Sequence, residues 1–337
     1  MAKHLIIMHG RSIKPAEAEM RKLILKAIRL GLERSGDLET WDKIQTGAIA
    51  TSFAYFGDIS NEIQAREDPG DRKALTATDP DHGGSPAFPH DLLHQAMDMT
   101  VATSARFTRS AYKKVLGIAD DLRFLDDALS VVSFFGAIAT FSILNEKILK
   151  YAKPDMAEYL MRKKTGSAIR ERLQQHLTPA ITAGDDIMLV THSLGCMVAY
   201  DVFWKFSLES EYRNVRQAGN PVRKWLTIGC PLAEPGIRRN LRDGHQHPDD
   251  QFPRNVFTDW VNIWAQDDFI SHNSKMARAF RDMKNRGFVD TISDKKIYNC
   301  WIYHDANDGA LISNPHDLYG YLISKKVGSE ISKWAHA

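Results

Sequence analysis

The stretch Ile187-Met188-Leu189-Val190-Thr191-His192-Ser193-Leu194-Gly195-Cys196-Met197-Val198-Ala199 constrains the fold more than any other. Its first half is a short, uncharged, strand-length apolar run and its second half continues as an apolar helix, with only a tight turn between them. A serine at such a turn is lifted clear of the sheet, and the N–H of the next residue, Leu194, belongs to a helix N-terminus, where negative charge is stabilised. Ser193 is therefore the candidate nucleophile, against the plainer reading of a structural turn serine. The usual pattern at such turns is Gly-x-Ser-x-Gly, and Thr191 replaces its first glycine. Small residues are needed there for close packing, and threonine is at the large end of what fits.

The rest of the chain is consistent with a strand of that kind lying in a parallel α/β sheet. Leu5 to Met8 is a continuous apolar run stopped by Gly10, as suits a strand buried on both faces. After Pro15, residues Met20, Leu23, Ile24, Ala27 and Ile28 recur at helical spacing, with Gly31 or Gly36 as the stop. Ala48 to Phe56 is rich in Ile, Thr, Phe and Tyr and predicts a second strand. Strand, helix, strand implies a parallel sheet. The same rhythm returns late in the chain. Helices are expected near 169–177, 194–206 and 318–324, and strands at 187–191, 224–229, 261–265 and 297–303, giving six strands in one sheet.

Residues 58–165 differ in character from the 1–57 and 166–337 core. Four prolines and three glycines between Asp68 and His90 predict a long loop. Tyr112, Val115, Ala119, Leu122, Leu125 and Leu129 step by three or four, predicting an amphipathic helix. Ala128 to Asn145 carries no charge over eighteen residues. As a helix it would span about 27 Å, just short of a bilayer's hydrocarbon core, and its serines and threonines dilute it. It reads first as a buried helix of a cap, second as a surface touching lipid or an acyl chain, and only third as a membrane span.

Composition narrows the class of partner. The 337 residues carry 44 Lys+Arg against 42 Asp+Glu, a formal charge of +2, which supplies no basic field for nucleic acid. Hydrophobic residues at 43% fit an ordinary globular protein. Cys196, Cys230 and Cys300 are too few and too scattered for a disulfide framework and read as buried thiols in a reducing compartment. Met1 to Met8 lacks a secretory pattern, so a cytoplasmic protein is expected, with residues 128–145 as a candidate peripheral membrane contact. Of the metal-like stretches, the loop from His245 to Asp250 lacks rigid ligand spacing, and Asp305 to Gly309 misplaces the glycine of a calcium loop.

Several segments, in order, resemble the α/β-hydrolase superfamily, closest to its lipase and serine-esterase branch. They are Leu5-Ile6-Ile7-Met8-His9-Gly10-Arg11, the Ser193 turn, Thr227-Ile228-Gly229-Cys230-Pro231-Leu232, Trp260 to Ile270, and His316-Asp317-Leu318-Tyr319. The resemblance implies an α/β-hydrolase fold of about six mostly parallel strands, lacking the first two strands of the full sheet, with the insertion as a helical cap. It implies a second oxyanion N–H from the residue after His9-Gly10, which is Arg11, beside that of Leu194. A serine hydroxyl needs a histidine to take its proton, and that histidine needs a carboxylate. In the family's order of Ser, acid, His, the acid follows the next-to-last strand and the histidine the last. Asp268 fits the acid better than Asp267. His316, with Tyr319 in a His-x-x-Tyr spacing, fits the base better than His304.

The expected activity is hydrolysis of a carboxylic ester, small or lipid-like, through an acyl-enzyme, a mechanism that requires no metal or organic cofactor. The alternatives are a membrane-surface phospholipase, thioesterase, amidase or acyltransferase on the same three residues, or a catalytically silent fold used for binding.

Overall fold

The computed structural model describes residues 1–11, 14–67, 154–266, 268, 271, 275–299, 301–304, 311–313 and 316–337. Within them a six-stranded, all-parallel sheet forms the centre. Its strands are β1 (Lys3–Met8), β2 (Ile49–Ala54), β3 (Asp186–His192), β4 (Val222–Ile228), β5 (Phe257–Ala265) and β6 (Thr291–Ile297), in the order β2-β1-β3-β4-β5-β6. β1 thus lies between β2 and β3, with Met8 opposite Ala54 on one side and Thr191 on the other. The chain passes from β1 outward to β2 and then back across to β3. Such a reversal leaves a crevice at the carboxyl ends of the strands, where open α/β sheets bind ligands.

Both faces of the sheet are covered, which is why β1 and β3 read as continuous apolar runs. Ile6, Met8 and Leu189 point into one core with helices α5 (Lys163–Ala183) and α6 (Leu194–Leu208). Leu5, Ile7, Met188 and Val190 point into the other with α1 (Glu17–Ser35), α7 (Leu318–Leu322) and α8 (Lys325–Ala335). Helix α1 begins after Pro15 with Glu17 and Glu19 in its first turn, and Gly36 ends it at φ 85°. Gly31, the other expected stop, lies inside α1, where its carbonyl meets Gly328 of α8 too closely for a Cβ. Helix α6 has twelve buried residues out of fifteen, so it is apolar all round and central. Beneath it Trp225 and Trp260 stack with centroids 4.4 Å apart, their indole N–H groups taken up by Thr191 and Thr227.

The last strand is a correction to the sequence reading. The expected strand at 297–303 is two elements: β6 ends at Ile297, and Ile302–His304 (β7) pairs antiparallel with Leu311–Ser313 (β8) in a separate small sheet. β6 itself, Thr-Ile-Ser-Asp-Lys-Lys-Ile, is an edge strand only partly buried, so polar residues replace the apolar run that marks the inner strands. Helices α2 (Leu38–Gln45) and α8 had no counterpart in the sequence reading.

The insertion is described only at its ends. It leaves the sheet through α3 (Gly57–Glu67) at the carboxyl end of β2 and returns through α4 (Pro154–Met161). Met156 and Tyr159 of α4 are buried in the same core as Ile6 and Leu189. The expected loop, amphipathic helix and 128–145 segment lie outside the described residues. Among the described residues no helix is long and apolar enough to cross a membrane.

Candidate active site

Ser193 occupies the turn between β3 and α6 at φ 52° and ψ −121°, a conformation that side-chain-bearing residues rarely adopt. Two glycines accommodate it. A Cβ on Gly195 would stand 2.6 Å from the carbonyl oxygen of His9, and one on Gly10 would stand 2.8 Å from Ser193 Cβ. The loop after β1 and the first turn of α6 therefore interlock backbone to backbone. Thr191 fits in place of a glycine because it is wholly buried with its hydroxyl engaged. It accepts from Trp225 Nε1 at 2.9 Å and donates to Cys196 Sγ at 3.3 Å. Cys196 and Cys230 are both buried.

The two late residues favoured by sequence meet at this serine. His316 Nε2 lies 2.8 Å from Ser193 Oγ, and His316 Nδ1 lies 2.8 Å from Asp268 Oδ2. Serine, histidine and carboxylate are thus in one hydrogen-bonded line, although 123 residues separate Ser193 from His316. Ser193 is 1% exposed and Asp268 fully buried. Burial works to raise the Asp268 carboxyl, but His316 opposite it, with hydrogen bonds from His316, Tyr321 and Ser271, holds it below the usual carboxylate range. Asp267 lies outside the described residues. His304 ends β7, and its side chain is also outside them.

Several supporting side chains carried no sequence signal of their role. Tyr321 Oη donates to Asp268 Oδ2 at 2.6 Å, and Ser271 Oγ donates to the same atom at 2.9 Å. Tyr319, singled out for its His-x-x-Tyr spacing, instead packs its ring 5.7 Å from that of Trp301. His192, the residue before the serine, is buried against His316 with ring centroids 4.9 Å apart. Burial first, then the neighbouring His316 and Lys14, push its imidazole well below the usual histidine range.

His9 fixes the chain leading to Arg11. Its ring stacks on Phe56 at 4.1 Å, its Nε2 accepts from the Phe56 N–H at 3.0 Å, and its Nδ1 donates to the Gly10 carbonyl at 2.7 Å. Those two bonds require the neutral Nδ1–H tautomer, and burial, assisted by the charge of Lys14, takes the imidazole down to about 3. The peptide is trans, so the Arg11 N–H points opposite to the Gly10 carbonyl, away from His9. Lys14 Nζ donates to the Arg11 carbonyl at 2.6 Å, and Asn61 grips the main chain of Lys14 through both its N–H and its C=O. Leu194 is buried at the first position of α6. Among the described residues no three His, Cys, Asp or Glu side chains are grouped to hold a metal ion.

Comparison with family models, with curated proteins and with solved structures yields no match to this chain.

Proposed function

We propose that the protein is a serine hydrolase of α/β-hydrolase type that cleaves a carboxylic ester. The observation that carries this reading is the unbroken relay from Ser193 Oγ through His316 to Asp268, with both links at 2.8 Å. The nucleophile follows β3, the acid follows β5, and the histidine comes after β6 and the small β7–β8 sheet, in the Ser, acid, His order of that superfamily.

In the reaction, Ser193 Oγ attacks the ester carbonyl carbon while His316 Nε2 takes the hydroxyl proton. Asp268 holds the ring through Nδ1 and stabilises its transient positive charge. The tetrahedral oxyanion sits between the amide N–H groups of Leu194 and Arg11, donors of the kind worth about 3–4 kcal/mol each in the transition state. His316 then returns the proton to the leaving alcohol as the acyl-enzyme forms. Water, activated by the same imidazole, releases the acid and regenerates Ser193. The strained backbone at Ser193 suits a residue held for chemistry rather than packing.

The insertion departs from the carboxyl end of the sheet, the end that bears Ser193, and Phe56 at its root stacks on His9. The uncharged composition of residues 128–145, which lie outside the described residues, supports an apolar acyl group as part of the substrate. Thioesters and amides would use the same relay and differ in their leaving group.

Turnover of a short-chain p-nitrophenyl ester tests the reading. Ser193→Ala is expected to lower kcat on the order of 10⁶-fold, to the level left by binding and the oxyanion donors alone. Unchanged turnover in that variant overturns it.

A further inference from the structure

The segment that brings in His316 brings a second group to the same carboxylate oxygen. His316 and Tyr321 stand five residues apart around the start of α7, and both reach Asp268 Oδ2, the imidazole at 2.8 Å and the phenol at 2.6 Å. The turn between them is fixed from two sides. Asp317 caps α7 by accepting the Tyr319 N–H at 2.8 Å, and Asn299 Nδ2 donates to the Asp317 carbonyl at 2.9 Å. Gly320 allows no Cβ, because one would lie 1.7 Å from Asn299 Oδ1.

The protons around this oxygen can be assigned by elimination. Tyr321 Oη accepts the main-chain N–H of Ala265 at 3.1 Å, which leaves its single proton for a neighbour. Two oxygens are within reach, Asp268 Oδ2 at 2.6 Å and Ser271 Oγ at 2.9 Å, and an anionic carboxylate is the stronger acceptor. Ser271 in turn donates to Oδ2 at 2.9 Å. The phenol thereby ties the carboxyl end of β5 to the acid that follows it. Tyr321 and Asp268 are both fully buried, so water does not compete for these bonds. Burial, followed by the charge of Asp268, raises the phenol's ionisation well above the usual tyrosine range, so it stays a donor.

We infer that Tyr321 is a positioning residue for the reaction proposed above: its hydroxyl, seconded by Ser271, holds Asp268 in the rotation that keeps Oδ2 on His316 Nδ1. The inference rests on that reading of the relay. A phenylalanine at 321 would fill the same buried space, so the hydroxyl's part in catalysis separates from the ring's part in packing.

The test is ester turnover by Tyr321→Phe, Asp268→Asn and the double variant beside wild type, with thermal unfolding of each. Tyr321→Phe is expected to lower kcat about 10- to 100-fold with KM within about twofold of wild type, the pattern of an interaction needed in the transition state rather than in binding. In the Asp268→Asn background the same substitution should change kcat less than about twofold, because the phenol acts only through the carboxylate. A kcat within about twofold of wild type in Tyr321→Phe, or an equal loss in both backgrounds, overturns the inference. If Tyr321→Phe does not fold, Ser271→Ala takes its place with the same required dependence on Asp268, and an unchanged kcat there overturns it equally. Ser193-dependent turnover that Tyr321→Phe leaves intact refutes only the role of Tyr321. Turnover independent of Ser193 refutes the hydrolase reading and this inference with it.

Discussion

His192 Nε2 donates 2.9 Å to the main-chain carbonyl of His316, so the residue before the proposed nucleophile holds the residue that would activate it. A carbonyl only accepts, which fixes the proton of His192 on Nε2. The side chain that ends β3 is thus bonded to the loop that follows the small β7–β8 sheet. His192→Phe keeps a ring but has no donor. It is expected to lower kcat about tenfold, equivalent to about 1.4 kcal/mol of lost transition-state stabilisation, with little change in KM. Steady-state kinetics on a p-nitrophenyl ester would show this, and an unaltered kcat would deny His192 any part in placing His316.

The closeness of Gly10 to the serine gives a second expectation. In Gly10→Ala the added methyl would stand 2.7 Å from His192 Nδ1 and 2.8 Å from Ser193 Cβ, so one of the three must move. A displacement of that size at the reacting atoms should lower turnover on the order of 10²-fold. Circular dichroism should show the sheet and helices retained. Wild-type turnover in this variant would mean that the loop after β1 is free to yield.

Thr191 separates this chain from the Gly-x-Ser-x-Gly pattern, and restoring the glycine should harm it. Thr191→Gly removes the acceptor of the buried Trp225 indole N–H and puts glycine into a central strand. Together these should cost about 2–4 kcal/mol. Thr191→Ser, which keeps the hydroxyl, should stay within about 1.5 kcal/mol of wild type. Urea unfolding of the three proteins measures both differences, and a glycine variant as stable as wild type would contradict the account of this residue.

Acid stability should depend on His9. Its imidazole, ordinarily at 6.5, takes no proton in the folded chain until about pH 3, whereas the unfolded chain takes one at 6.5. The unfolded state therefore binds more protons between those values. The stability due to neutral His9 is complete above pH 6.5 and falls by about 1.4 kcal/mol for each unit below it. Asp201 and Asp317, which burial raises to about 6, have the opposite sign: their contribution is present at low pH and is lost as pH rises through about 6. Because both aspartates are common to wild type and His9→Gln, their effects cancel in the difference. The stability advantage of wild type over His9→Gln should shrink by about 1.4 kcal/mol per unit between pH 6 and 4, and a difference independent of pH would contradict the burial of a neutral His9.

The parts of this molecule that were legible in its sequence are those where one local pattern decides the outcome. Leu5 to Met8 and Ile187 to Val190 have to be inner strands because both their faces are covered, and the serine turn is bounded on each side by an apolar element of the right length. That Asp268 and His316 would meet at Ser193 was reachable because the resemblance orders the acid and the histidine by strand. β6 was missed because an edge strand pairs on one side only and tolerates Asp294, Lys295 and Lys296. Tyr321 was missed for a different reason. Its role depends on where α7 aims one hydroxyl, and its spacing from His316 indicates nothing about Asp268 until the chain is folded. His9, whose glycine neighbour was noted, is held in a tautomer selected by the Phe56 N–H and the Gly10 carbonyl, contacts that exist only in the folded chain.

The most direct test of the central claim is covalent labelling with a fluorophosphonate, read by intact mass and peptide mapping. The account predicts one adduct per chain, located on Ser193, absent in Ser193→Ala and formed far more slowly in His316→Ala. A chain that takes no adduct, or that takes it at another residue while Ser193 stays unmodified, would contradict it.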